Sequence, residues 1–154
     1  MPYLTTYTDN GRGVQKMGHG LVTGAEIFSS AVQESSDEER TRRLQYGLID
    51  FSNVREFLVT PSDIRRIVEV NRKTAALTPE ACIALVAPAE LPYAMSRLWH
   101  TLSDDLAWTS YVFHTRSDAL AWLRKELRYR HGEVEARDLF PSLEWATKSP
   151  NESA

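Results

Sequence analysis

Apolar and polar positions along this chain follow two periods, one of about two residues and one of about 3.6, and they alternate from segment to segment. "YLTTYT" (3–8) is β-branched and aromatic and predicts a strand. "DNGRG" (9–13) carries an Asn-Gly pair that tolerates positive φ, a turn signal leading into a second strand near 14–19. "TGAEIFSSAVQ" then switches to the helical period, with Phe28, Ala31 and Val32 as its apolar face. The polar run "ESSDEERTRR" (34–43) reads as the fraying end of that helix and a solvated loop. "LQYGLIDF" (44–51) is a third strand whose near-continuous apolar end predicts burial on both faces, with Ser52 and Asn53 shaping its exit loop. A second helix over about 61–76 places Ile64, Ile67, Val68, Asn71 and Ala75 on one side. "CIALVA" (82–87) is a buried strand, and 90–102 a helix presenting Met95, Leu98, Trp99 and Leu102. "WTSYVFH" (108–114) is the fifth strand, followed by "SDALAWLRKEL" with Ala119, Leu120, Leu123 and Leu127 inward.

Helix starts share one device. Thr23-x-x-Glu26, Thr60-x-x-Asp63 and Thr115-x-x-Asp118 fit the capping-box spacing, and Pro61 takes the first helical position, where a missing N–H costs nothing. The resulting order, ββαβαβαβα, predicts an α/β fold. Its sheet is five-stranded and mainly parallel, with an N-terminal hairpin strand and four helices reached by right-handed crossovers.

Composition adds limits. The 154 residues, 42% hydrophobic and 25% charged, fit one ordinary globular domain over 1–130 with a C-terminal extension over 131–154. No apolar run reaches the roughly 18–20 residues of a membrane span, and the N-terminal stretch has neither a basic nor an apolar signal region. A lone Cys82 fits a reducing compartment, so a cytoplasmic protein is expected. The net charge of −3 argues against nucleic acid as a partner, and the basic run "RKELRYRH" (124–131) complements a helix C-terminus.

Candidate chemistry is sparse. Asp50 sits where a parallel strand ends, the usual place for a ligand or a general base in such sheets, but also where a carboxylate accepts backbone N–H bonds of the following loop, the commoner role. Ser52 lacks the G-x-S-x-G elbow of a hydrolase nucleophile. The glycine-rich run "GRGVQKMGHGLVTG" (11–24) has His19-Gly20 where a phosphate-binding loop needs Lys and Ser/Thr. His19, His100, His114 and His131 have no metal-ligand spacing, so neither a metal nor a cofactor is expected. Arg65 and Arg66 lie at a helix start, where the dipole disfavours cations, and so are candidates to receive an acidic ligand. Tyr93 and Trp99 belong to "YAMSRLWHTL", which carries more apolar bulk than one sheet-facing stripe needs. "DLFPSLEW" (138–145) adds Leu139, Phe140, Leu143 and Trp145, side chains of the kind enriched at interfaces. The last residues, "TKSPNESA", read as disordered.

The motifs "GLVTGAEIF" (20–28), "YGLIDFSNV" (46–54), "SDIRRI" (62–67), "IALVAP" (83–88), "YAMSRLWHTL" (93–102) and "VFHTRSDALAWL" (112–123), in this order, resemble the STAS family. This is the anti-sigma-factor-antagonist or SpoIIAA-like fold, and the likeness is greatest to the small bacterial SpoIIAA-like proteins sometimes grouped with lipid-binding domains. The resemblance spans about residues 3–127. It implies a non-enzymatic module that binds a protein partner, a second copy of the chain included, or a small apolar or amphipathic ligand. In regulatory relatives a serine at the start of the helix after the third strand is phosphorylated. The matching stretch here is "VTPSDI", which makes Ser62 and Thr60 the candidates, with Pro61 in place of the relatives' Asp-Ser-Ser-Gly pattern. Two other readings stand beside it: a small hydrolase or lyase using Asp50 with a histidine, and a phosphorylation-switched antagonist.

Overall fold

Strand pairing in the computed structural model, which describes residues 2–132 together with Ala136 and Leu139, gives a single five-stranded sheet in the order β1-β2-β3-β4-β5. The strands are β1 (Tyr3–Thr8), β2 (Gly13–Thr23), β3 (Tyr46–Leu58), β4 (Cys82–Val86) and β5 (Thr109–Phe113). β1 runs antiparallel to β2, and every other neighbouring pair is parallel. A 3₁₀ turn at Asp9–Gly11 joins the hairpin, with Asp9, Asn10 and Gly11 all at positive φ. The helices are α1 (Gly24–Ser36), α2 (Glu38–Thr41), α3 (Pro61–Leu77), α4 (Glu90–Leu102) and α5 (Arg116–His131). The fold is thus α/β with a mixed, mostly parallel sheet and five helices, and no described helix is long and apolar enough to cross a membrane.

The caps form as their spacing dictates. Thr23 and Thr60 each accept the N–H of the third helical residue, and Glu26 and Asp63 reach back to the cap's own N–H. Thr115 Oγ1 accepts from the Asp118 N–H at 3.2 Å. Each such cap stabilises its helix by about 1 kcal/mol.

β2 and β3 run further than the sequence pattern suggests. The sequence pattern ends the second strand near 19, yet β2 runs on to Thr23, and within it an added Cβ at Gly18 would sit 2.9 Å from Val54. Gly20, at φ +58°, falls at a register shift between β2 and β3. Here glycine lets a bulged pair continue pairing rather than end it. Ser52 and Asn53 are consequently exposed residues within β3 and not part of an exit loop. The polar run 34–43 also differs from expectation. Glu34 and Thr41 are buried, and Thr41 Oγ1 donates to the Glu34 carbonyl at 2.6 Å, closing α1 against α2.

The connections between parallel strands place α1, α3 and α4 on one face of the sheet and leave α5 on the other. The first face gathers Phe51, Ile83 and Leu85 under Ile64, Ile67, Val68 and Trp99. The second packs Tyr46, Leu48, Cys82 and Val86 against Leu120, Leu123 and Leu127 of α5, with Ala136 and Leu139 completing it. The α3 and α5 faces are those the periodicity predicts. On α1 the inward side chains include Ile27 beside Phe28 and Ala31, and Val32 is 42% exposed.

Candidate functional site

Between the sheet and its three-helix face lies a cavity of about 70 Å³. Its floor is the register row Lys16, Ile49 and Leu85 of β2, β3 and β4. Ile49 is on the middle strand and yet only partly buried, because its side chain faces this hollow. Gly47, one residue pair earlier on the same face, leaves room that any side chain would take, and an added Cβ would come 3.1 Å from Ile83 Cδ1. The roof comes from Ile27 and Ala31 of α1, Ile64 and Ile67 of α3, and Met95 and Trp99 of α4.

Polar groups enter this apolar chamber at both sides. On the α1 side Lys16 Nζ lies 2.8 Å from Glu34 Oε2, with side-chain exposures of 9% and 8%. The contact is an ion pair by distance but is not aligned as a hydrogen bond, so Glu34 Oε2 keeps unspent accepting capacity. Lys16 carries three N–H donors, and Glu34 is its one polar contact among the described residues. Tyr3 also lines the cavity, and burial, with the Glu34 carboxylate beside it, pushes its phenol well above the ordinary range. On the α4 side Trp99 Nε1–H donates to Asn71 Oδ1 at 2.9 Å. Ser96, 3% exposed, belongs to the cavity lining, and its Oγ is shielded within the core with no partner among the described residues. Buried hydroxyls are normally satisfied, so an orphan here calls for a cause.

The expected site residues scatter relative to this cavity. Trp99 lines it. Its 5% exposure makes it a wall of the core instead of a surface anchor. Tyr93, half-buried, stacks on His114 with ring centroids 4.0 Å apart. Asp50 faces the α5 side of the sheet, where Oδ1 accepts the Ser52 N–H at 2.8 Å and Oδ2 accepts Arg116 Nη1–H at 2.7 Å. Arg116 Nη2 reaches Gln15 Oε1 at 3.1 Å, so this carboxylate ties β2, β3 and the start of α5 together. Ser52 is exposed and contributes its backbone N–H to that bond. Arg66 lies over the Phe28 ring at 4.4 Å, and Arg65 is exposed on the same helix. Thr60 Oγ1 is engaged as the α3 cap, whereas Ser62 is exposed in the first turn. Leu139 is fully buried, and Phe140, Leu143, Trp145 and the tail beyond lie outside the described residues. Among the described residues no three His, Cys, Asp or Glu side chains converge as a metal site would need.

Lys16, Glu34 and Ser96 escape a reading that looks for catalytic spacings. Their signal is a mismatch in the hydrophobic pattern. The strand period puts Lys16 on the same face as Val14, and the helix period puts Glu34 in line with Ile27 and Ala31, so each apolar face carries one charge, of opposite sign. Comparisons with protein-family models, with curated proteins and with solved structures returned no match.

Proposed function

We propose that this chain is a STAS-like, non-enzymatic binding module whose site is the cavity between the sheet and α1, α3 and α4, and that it takes a small apolar or amphipathic ligand there. The carrying observation is that one hollow combines an apolar lining with a buried Lys16–Glu34 pair at its α1 side. Binding sites commonly combine an apolar lining with a few convergent polar groups. At about 70 Å³ the accessible space is below the roughly 150 Å³ that holds benzene, so it takes a small apolar group. The STAS reading draws on the strand order, the antiparallel first strand and the motifs between residues 3 and 127.

An Asp50-centred hydrolase or lyase has less to draw on, since both Asp50 oxygens are already engaged, by Ser52 and Arg116. Native mass spectrometry of protein isolated from cells tests the proposal. Wild-type protein should carry an adduct released on unfolding, and Ala31→Leu, which adds three carbons to the cavity wall, should not. Bare wild-type mass under gentle ionisation, or an adduct equally present in Ala31→Leu, overturns it.

A further inference from the structure

The turn joining β1 to β2 carries a reactive pair of residues that does not line the cavity. Asn10-Gly11 is the one place in the chain where glycine follows asparagine; Asn53, Asn71 and Asn151 precede valine, arginine and glutamate. Asn10 is exposed and stands at φ 58° and ψ 36° inside the 3₁₀ turn. We infer that Asn10 is a site of spontaneous deamidation, and that the folded turn gates the reaction so that it runs through local opening of the β1–β2 hairpin.

The chemistry needs only water. Gly11 N attacks Asn10 Cγ, the bond from Cγ to the side-chain nitrogen breaks, and that nitrogen leaves as ammonia with the Gly11 amide proton. Water opens the resulting succinimide at either carbonyl, leaving aspartate or isoaspartate. Glycine in the following position has no side chain to obstruct the attack, whereas valine, arginine and glutamate do.

Native geometry opposes the first step. At ψ 36° Gly11 N is turned away from Asn10 Cγ, so the turn must rearrange before the two atoms meet. Neighbouring bonds hold it closed. Arg12 N–H and Nε–H both donate to the Asp9 carbonyl, at 3.2 and 3.0 Å. Tyr46 of β3, fully buried, donates its hydroxyl to Asp9 Oδ2 at 2.6 Å, and that hydroxyl lies 2.7 Å from Thr8 Oγ1. β1 is an edge strand with β2 as its one strand neighbour among the described residues, so this end of the sheet can open while β3 and β4 stay paired. Isoaspartate adds a methylene to the backbone beside the Thr8–Gly13 register pair, so a completed reaction keeps the turn from closing as before.

The test incubates full-length protein at mildly alkaline pH, native and unfolded in guanidinium, and follows each asparagine by peptide mass mapping. The unfolded chain should deamidate at Asn10 ahead of Asn53 and Asn71, and the native protein should do so at least about tenfold more slowly. Tyr46→Phe, which removes the hydroxyl bond to Asp9, should raise the native rate about fivefold and leave the unfolded rate unchanged. Val68→Ala, which lowers global stability from α3, should leave the native rate as in wild type. Absence of Asn10 deamidation in the unfolded chain, equal rates in native and unfolded protein, or a native rate unmoved by Tyr46→Phe overturns the inference. Acceleration by Val68→Ala as large as that by Tyr46→Phe also overturns it, because the gate would then be global unfolding.

Discussion

The Lys16–Glu34 pair allows stability and function to be separated. Both side chains are under a tenth exposed and 2.8 Å apart, and at an effective dielectric constant near 20 they attract by roughly 6 kcal/mol. Removing each ion from water costs several kcal/mol, so the pair as a whole contributes little to stability. Deleting one partner strands the other. Lys16→Met should therefore destabilise the protein by about 3–5 kcal/mol, leaving the Glu34 carboxylate buried without its cation. The double variant Lys16→Met/Glu34→Leu should recover to within about 1 kcal/mol of wild type or exceed it, because well-packed apolar replacements of buried ion pairs are often neutral or stabilising. Urea unfolding followed by circular dichroism measures both, with an unchanged m-value indicating that the cost lies in the folded state. A buried charge pair that adds little stability is consistent with the ligand site proposed above. The double variant should thus fold well and lose affinity for 1-propanol. The reasoning fails if Lys16→Met costs less than about 1 kcal/mol, or if the double variant is no more stable than the single one.

Other expectations follow from single side chains. Ser96→Ala removes an unsatisfied buried hydroxyl and should raise stability by about 1 kcal/mol, read as a higher urea midpoint. Asp50→Asn should lower stability by about 2–3 kcal/mol, since it weakens a buried acceptor of Arg116; an unchanged midpoint would instead leave Asp50 free for a chemical role. Burial pushes the Cys82 thiol up to about 11 from an ordinary 9.0, so between pH 9 and 11 the unfolded chain loses a proton that the fold retains. Stability should therefore be fully present below pH 9 and fall as pH rises toward 11, a loss that Cys82→Ala should reduce in pH-dependent urea titrations. Asn71→Leu leaves the buried Trp99 indole N–H without its acceptor and should cost about 1–3 kcal/mol by the same assay.

Much of the fold can be read from the sequence because its signals are local. The capping boxes at Thr23 and Thr60 depend on residues three apart, and the inward faces of α3 and α5 on simple periodicity. The length of β2 and β3 is not local in this sense. Whether Gly18 and Gly20 end a strand or bulge it depends on Val54 and its neighbours, more than thirty residues away. The site is harder still. Asp50, Ser52, Arg65 and Arg66 attract attention as polar residues near element ends, whereas the cavity's polar groups sit inside apolar faces, where they look like flaws in a pattern. Lys16 and Glu34 become a pair only when the β2–β3 crossover folds α1 over the sheet. Ser96 stands out only once its hydroxyl is seen to lack a partner.

Binding in the chamber is tested most directly by the Ile49 methyl signal during a 1-propanol titration of wild type and Ala31→Leu. The wild-type signal should move and saturate, while the same signal in folded Ala31→Leu should stay in place. A shift absent from both proteins, or equal in both, would contradict a ligand site between the sheet and α1, α3 and α4.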